Sequence, residues 1–183
     1  MTFEHLDNEE LLRLSLSAID ADRDADAMSM LKEILARRPD HVQAIYLLAA
    51  QHAQIGLLDR AEAGFRETLA LAPDLAPARF QLGQLLALSG RADESRVVLA
   101  PLADDGDVAR AAYARAVIAL ASDDVDAGLV AIEEGLAAPQ RIPALAADMR
   151  RLAQTLRSAE VERAPAAPAF LAGYGYGRAG SVE

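Results

Sequence analysis

"DRAEAGFRETLALAPD", residues 59–74, and "ADAMSMLKEILARRPD", residues 25–40, end in the same Pro-Asp pair and align without a gap. The alignment places Phe65 opposite Leu31 at a distance of 34 residues, and the same step separates Gly56 from Gly90. Further series keep this step: Leu14, Leu48 and Leu82; Ala27, Ala61 and Ser95; Pro39 and Pro73. A period that several independent positions share indicates a repeat array rather than a chance similarity between two helices.

Each repeat divides into two predicted helices. In the second repeat, apolar residues recur at a three-four spacing over residues 42–55, which is typical of an amphipathic helix. Gly56 suits the left-handed backbone that ends such a helix. A second helix is predicted from Asp59, as its N-cap, to Leu71, and Pro73 stops it. The third repeat has the same design, with helices predicted over residues 78–88 and 93–102 around Gly90.

These residues resemble the tetratricopeptide repeat (TPR), a helix-turn-helix of 34 residues. The second repeat matches best, through Leu48-Ala49, the turn glycine Gly56, Ala61, Phe65 and the exit proline Pro73. The third repeat has Leu82-Gly83 and Gly90, but Ser95 replaces the small alanine and Asp107 replaces the exit proline. The first repeat has Leu14-Ser15, with Asp22 where the turn glycine belongs. The resemblance covers about residues 8–138 and is weaker towards both ends.

A fourth, divergent repeat is "AAYARAVIALASDDVDAGLVAIEEGLAAPQ", residues 111–140, slipped by one residue. After Pro143 one more amphipathic helix carries Leu145, Met149, Leu152 and Leu156 on one stripe, which suits the end helix that a solenoid needs. The predicted fold is therefore all-α: a TPR-type helix-turn-helix solenoid of about four repeats plus a C-terminal capping helix, over residues 1–163. Residues 164–183 are rich in Pro and Gly and are predicted to form a flexible tail.

Composition and charge narrow the classes of function. The chain has no Cys, which excludes disulfides, thiolate catalysis and Cys-ligated zinc. Its net charge of −10 argues against nucleic acid and against an anionic membrane surface as partners. The acidic N-terminus does not have the pattern of a signal peptide, and no apolar run approaches the ~18 residues of a membrane span. We expect a soluble, cytoplasmic protein.

The resemblance implies a binding site, because the first helices of TPR repeats line a concave groove that usually binds peptides or helices. The expected groove residues are Leu12, Arg13, Leu16, Tyr46, Leu47, Ala50, Phe80, Gln81, Gln84, Arg110, Tyr113 and Val117. Tyr46, Phe80 and Tyr113 occupy equivalent positions in successive repeats. This aromatic row either grips apolar side chains of a partner, as rigid aromatics often do at interfaces, or fills space between repeats.

The groove lacks the Lys, Asn and Arg set with which chaperone-docking members of the family hold a terminal carboxylate. Only Arg13 and Arg110 are cationic there, so recognition of acidic C-terminal peptides is not expected.

The sequence contains no complete pattern for metal binding or for catalysis. Asp22, Asp24, Asp26 and Glu33 match positions 1, 3, 5 and 12 of a calcium loop, but Ala27 replaces the required glycine and the repeat places most of the loop inside a helix. The three histidines do not cluster, and no serine lies in a nucleophile elbow. We expect no metal, no cofactor and no enzymatic activity.

The sequence thus favours a protein-protein interaction module, an adaptor or scaffold that binds a partner peptide or helix. Two alternatives stay open. Small acidic TPR chaperones of bacterial type III secretion are broadly similar in size and charge, so a chaperone for a secreted protein is one. A docking subunit of an enzyme complex is the other. The tail carries the apolar and aromatic residues Phe170, Leu171, Tyr174 and Tyr176. These residues also indicate self-association, in which the tail enters the groove of a neighbouring molecule or its own.

Overall fold

The computed structural model describes residue 3 and residues 5–104 and 106–162. Within these residues the chain forms helices and no strand. The helices are α1 (Asn8–Asp20), α2 (Asp24–Arg37), α3 (Val42–Gln54), α4 (Leu58–Leu71), α5 (Ala76–Leu88), α6 (Ala92–Ala103), α7 (Val108–Ala121), α8 (Val125–Ala137) and α9 (Pro143–Glu162). In the part of the chain described, no helix has the length and apolar character needed to cross a membrane.

The chain divides into two compact parts, an N-terminal part (residues 1–78) and a C-terminal part (residues 79–183). In the N-terminal part, α1 packs against α2, α2 against α3, and α3 against α4. The apolar stripes of α1, α2 and α3 meet in a core. Its buried members are Leu11, Ala18, Ala27, Met30, Leu31, Ile34 and Ala44.

In the C-terminal part, α6 packs against α7, α7 against α8, and α8 against α9. Helices α5 and α6 meet at Gly83, where Leu99 occupies the space that a side chain at position 83 would need. There the buried Ser95 hydroxyl donates a hydrogen bond of 2.8 Å to the Gly83 carbonyl. Ser95 thus fits the place of the small alanine because its polar atom has a partner.

The turn inside each repeat has the same backbone geometry. Gly56 and Gly90 have φ of 78° and 72°, and Asp22 and Asp123 have φ of 54° and 60°. In every case the next residue's N–H bonds to a carbonyl five residues back, as Leu57 bonds to His52 at 2.8 Å and Asp124 to Ala119 at 3.0 Å. This is the Schellman cap of a helix C-terminus. The first and fourth repeats therefore turn like the others, with aspartate in the left-handed position usually held by glycine.

The structure corrects the predicted starts of α4 and α5. The residue after the left-handed one, Leu57 in the second repeat, is already the N-cap of the next helix. Helix α4 therefore begins at Leu58, and the prediction of Asp59 as N-cap is wrong; Asp59 lies in the first turn, where a negative charge is favourable. Helix α5 begins at Ala76 rather than residue 78, because Pro77 is well accommodated in a first turn.

The acidic segments lie in helices or at helix starts, as the repeat predicts. Asp24, Asp26 and Glu33 are part of α2, so they do not form a calcium loop. Asp107 and Asp124 are N-caps of α7 and α8, and their carboxylates accept from backbone N–H groups at 3.1 and 3.0 Å. Short polar side chains at these positions satisfy donors that the helix start would otherwise leave unpaired.

The predicted all-α, TPR-type fold is confirmed: four helix pairs, α1–α8, precede α9 within the described residues. On α9 Met149 and Ala153 are buried and Arg150, Arg151 and Arg157 are exposed, as expected of an end helix. The division into an array over residues 1–163 and a tail stays a prediction, because the tail lies outside the described residues.

Candidate binding surface

The predicted groove residues of the N-terminal part lie on α1 and α3. Arg13 and Leu16 are exposed on α1, whereas Leu12 is half-buried against the core. On α3, Leu47 also packs against that core, and Ala50 is half-buried. In this part, Arg13 and Leu16 are therefore the predicted side chains most open to solvent.

The ring of Tyr46 is half-buried. It packs on Phe65 of α4, with ring centroids 6.2 Å apart and planes inclined by 46°. Burial raises the pKa of the Tyr46 hydroxyl above its ordinary value of 10.0, so the ring is uncharged at neutral pH. Tyr46 thus joins α3 to α4 and still keeps some surface exposed.

The predicted groove residues of the C-terminal part lie on α5 and α7. Phe80 is 5% exposed and Tyr113 only 1%, and Val117 is fully buried. Gln81, Gln84 and Arg110 are half-buried. The burial of Phe80 and Tyr113 favours the second interpretation of the aromatic row, in which these rings fill space inside the fold. Val117 is also inaccessible to a partner.

Tyr113 is fixed by contacts with α8 and with the connection that follows it. Its ring lies against Gly135, where it fills the space that a Cβ would occupy. Its hydroxyl donates a hydrogen bond of 3.0 Å to Oε1 of Gln140. Burial raises the pKa of Tyr113 above its ordinary value, although the bond to Gln140 and the charge of Arg150 oppose this. The hydroxyl therefore remains a protonated donor.

Gln140 holds the α8–α9 connection in place. Its Nε2 donates to the carbonyls of Gly135 and Ala138, at 2.6 Å each, while its Oε1 accepts from Tyr113. One amide thus links the end of α8 to α7. Tyr113 makes one of the three bonds of this side chain and so ties the connection to α7.

A small, open cleft lies between the start of α7 and this connection. It is lined by Asp107, Ala109, Arg110, Tyr113, Gln140, Arg141, Ile142 and Leu145. The structure thus brings together two predicted groove residues, Arg110 and Tyr113. Ala109, Ile142 and Leu145 give the cleft apolar walls.

The charges of the cleft are mostly positive. Arg110 and Arg141 both line it, and the one carboxylate is that of Asp107. The Asp107 carboxylate is largely shielded from solvent, because its side chain is 8% exposed. It also accepts the hydrogen bond that caps α7. The Arg141 guanidinium lies 3.5 Å from Asp107 with 81% of its side chain exposed. Because the arginine side of this pair is mostly exposed, water screens the interaction, and Arg141 can also contact a negatively charged partner.

Sequence reasoning missed Gln140, Arg141 and Ile142. They lie in "APQRIP", residues 138–143, between two prolines and outside the helical periodicity that identified every other candidate. Nothing in that segment marks which side chain turns towards α7. The only available signal was the pair of prolines, which predicts a rigid, extended connection rather than a free loop.

The described residues show no group of three or more His, Asp or Glu side chains placed to hold a metal ion. His41 caps α3, because its Nδ1 accepts a hydrogen bond of 3.2 Å from the Ala44 N–H.

Solved structures of TPR proteins share this fold. The crystal structure of TTC0263, a thermophilic TPR protein of Thermus thermophilus, matches with a TM-score of 0.67 and 19% identity over 85% of this chain and 84% of that chain. A crystal structure of MamA gives 0.60 and 20% over 72% and 77%. MamA 41-end from Desulfovibrio magneticus RS-1 gives 0.60 and 18% over 85% and 93%. At these identities the likeness establishes the fold: the chain is folded as a TPR protein.

No protein-family model matches the sequence, and the search of curated proteins gives no significant match.

Proposed function

We propose that this chain is a non-enzymatic protein-protein interaction module and that the cleft beside α7 is part of its binding surface. One observation carries the proposal: Arg110, a residue expected to face a partner, lines an open cleft together with an exposed arginine and apolar side chains, and the buried ring of Tyr113 supports that cleft. The TPR fold supports the same function by analogy, because TPR repeats commonly bind segments of other proteins.

The cleft suggests the chemistry of the segment that it binds. Apolar walls formed by Ala109, Ile142 and Leu145 suit an aliphatic or aromatic side chain. The guanidinium groups of Arg110 and Arg141 suit a neighbouring Asp or Glu, since arginine binds carboxylates with directed hydrogen bonds. We therefore infer a partner segment that carries an apolar residue beside an acidic one. This differs from a clamp for a terminal carboxylate, for which the chain lacks the residues.

In the N-terminal part, Arg13, Leu16 and the exposed edge of Tyr46 remain proposed contact residues. Phe80, Tyr113 and Val117 act in this proposal by supporting the surface rather than by touching the partner. The cytoplasmic location and the lack of nucleic-acid binding stay predictions from the sequence.

The test is a pull-down from native lysate with three baits: the wild type, Ile142→Glu in the cleft, and Val97→Glu as a control. Val97 is 74% exposed on α6, outside the cleft, so both substitutions add one negative charge at an exposed aliphatic position. A protein retained by the wild type and the control but lost by Ile142→Glu supports the proposal. Equal retention by all three baits would contradict the proposed site. Circular dichroism verifies that each bait is folded.

A further inference from the structure

The turn between α3 and α4 exposes three large aliphatic side chains, which together form the apolar turn. Ile55, Leu57 and Leu58 are 46%, 40% and 40% exposed, and they lie within four consecutive residues around Gly56. Nothing lies within 4 Å of a Cβ built at Gly56, so the backbone is uncovered at this point. Single exposed aliphatic residues are common in folded proteins, whereas a contiguous apolar patch often marks a contact surface.

The geometry of the turn does not require these aliphatic residues, because the other three repeats form the same Schellman bonds with different ones. The equivalent residues are Ala21, Arg23 and Asp24 in the first repeat, Ser89, Arg91 and Ala92 in the third, and Ser122, Asp124 and Val125 in the fourth. Among these, Val125 is the one large aliphatic residue, and it is half-buried. At the position of Leu57 the first repeat has Arg23, which pairs with Asp26 at 3.5 Å. The fold therefore does not explain why the second repeat exposes aliphatic side chains here.

The turn of the first repeat lies beside the apolar turn. Helix α2 begins at Asp24 and has 14 residues, and α3 has 13 residues and ends at Gln54. Only residues 38–41 connect them, so the two helices are antiparallel neighbours, and they pack against each other. Because their lengths are almost equal, the end of α3 lies level with the start of α2, with helix axes about 8–10 Å apart.

The turn of the first repeat is negatively charged. Its four carboxylates and one cation, which leave a net charge of −3, are Asp20, Asp22, Asp24, Asp26 and Arg23. The side chains of Asp20 and Asp22 are exposed. A second copy of this surface would bring like charges together, which is unfavourable at an interface. The charge therefore favours a partner that carries positive charge beside its apolar residues.

We propose that the apolar turn is a docking surface for a basic amphipathic segment of another protein. The apolar side chains of that segment cover Ile55, Leu57 and Leu58, and burial of this area supplies affinity. Its Lys or Arg side chains pair with the carboxylates of the first turn, which orients the segment and speeds its association. This surface belongs to the N-terminal part, and it does not depend on the cleft or on the acidic partner segment inferred for the cleft.

The test is calorimetric titration with two synthetic amphipathic helical peptides. One probe consists of leucine and lysine, and the other has the same sequence with glutamate in place of lysine. We expect the lysine peptide to bind the wild type and the glutamate peptide not to bind. Failure of the lysine peptide to bind, or equal affinity for the two peptides, would overturn the proposal.

An apolar variant locates the binding of the lysine peptide. Ile55→Ser/Leu58→Ala introduces the residues that the third repeat has at these positions, so the turn geometry and the charge are retained. This variant should weaken binding by about tenfold, because two aliphatic contacts are lost. Val97→Ala/Val130→Ala shortens two exposed aliphatic side chains of the C-terminal part and should bind like the wild type. Equal affinity of Ile55→Ser/Leu58→Ala and the wild type would overturn the docking surface.

A charge variant separates the docking surface from the net charge of the chain. Asp20→Asn/Asp22→Asn should weaken binding of the lysine peptide by about threefold or more. Glu67→Gln/Asp74→Asn removes the same charge from exposed positions elsewhere in the N-terminal part and should bind like the wild type. Equal weakening by the two variants would show that the peptide follows net charge, which would overturn the proposal.

Sedimentation of the protein alone tests a second copy as the occupant. We expect the wild type and Ile55→Ser/Leu58→Ala to have the same oligomeric state. A wild-type dimer that this variant dissociates would assign the apolar turn to a second copy and would contradict the proposed partner.

Discussion

Tyr113 of α7 lies against Gly135 of α8 so closely that the ring occupies the place of a Cβ at position 135. This contact explains why an aromatic residue at an expected groove position is 1% exposed. The ring is accommodated because the neighbouring helix presents a glycine. The hydroxyl then extends past Gly135 to Gln140, which fixes the connection that lines the cleft.

The first prediction concerns this contact. Gly135→Ala should lower the free energy of unfolding by about 1–3 kcal/mol, because the added methyl group collides with a ring that cannot move away in a packed core. The measurement is urea denaturation followed by circular dichroism. Gly106→Ala is the matched control, since nothing lies within 4 Å of a Cβ built there, and it should change stability little. Equal stability of Gly135→Ala and the wild type would show that the contact is looser than described.

Much of the fold could be predicted from the sequence, because a 34-residue period and the three-four apolar spacing are properties of the chain itself. The burial of each side chain could not be predicted from the sequence. Tyr46, Phe80 and Tyr113 hold equivalent positions in the repeat, yet Tyr46 is half-buried and Tyr113 is buried, because what faces each ring differs. The helix starts at Leu58 and Ala92 depend on the turn geometry, which makes one residue both the end of the turn and the next N-cap.

The candidate site could be predicted only in part, for a related reason. Arg110 and Tyr113 were identified by their place in the repeat. The connection that completes the cleft has no periodicity. Gln140 is linked to α7 by its bond to Tyr113, and Arg141 by its ion pair with Asp107. Such contacts between residues distant in sequence leave no local pattern.

The second prediction concerns the turns. Asp22 and Asp123 hold a left-handed backbone, which is unfavourable for residues with a side chain. Asp22→Gly should therefore stabilise the protein by about 0.5 kcal/mol, because the relief of strain exceeds the entropy that glycine adds to the unfolded state. Asp22→Ala should destabilise it by about 1 kcal/mol, since alanine lacks the tolerance of aspartate for this conformation.

Chemical denaturation measures the free energy of unfolding of these variants. Asp126→Gly, inside α8, is the control in which glycine should destabilise a helix by about 0.5–1 kcal/mol. If Asp22→Gly were destabilised like this control, the shared turn geometry of the first repeat would be wrong.

The third prediction is a pH dependence that originates at His52. Its folded-state pKa is lowered, so between its ordinary value of 6.5 and that lower value the unfolded chain binds a proton that the folded chain does not. Stability should then fall as pH decreases through this range, and the loss should level off below the folded-state pKa. His52→Gln should show a smaller loss between neutral and mildly acidic pH.

The measurement is the free energy of unfolding of both proteins across this pH range, in buffers without phosphate. Carboxylates titrate in both chains, so the difference between the two curves isolates His52. Parallel curves would mean that His52 is not desolvated in the folded state.

The fourth prediction concerns the support of the cleft. Tyr113→Phe removes the hydroxyl and leaves Oε1 of Gln140 without this donor, which should lower stability by about 0.5–1.5 kcal/mol. It should also weaken partner binding, because residues 138–142 lose a contact that fixes them. Faster amide hydrogen exchange at Gln140 and Arg141 is the direct readout. Unchanged exchange there would show that the connection is held by other contacts.

Calorimetric titration with the purified partner is the most direct test of whether the cleft beside α7 binds a partner segment. We expect Arg141→Glu and Ile142→Glu each to weaken binding by about tenfold or more, since one reverses a charge and the other places a charge on an apolar wall. Val97→Glu should bind like the wild type. If all four proteins bind with the same affinity, the cleft is not the site, and the partner must contact another face of the molecule.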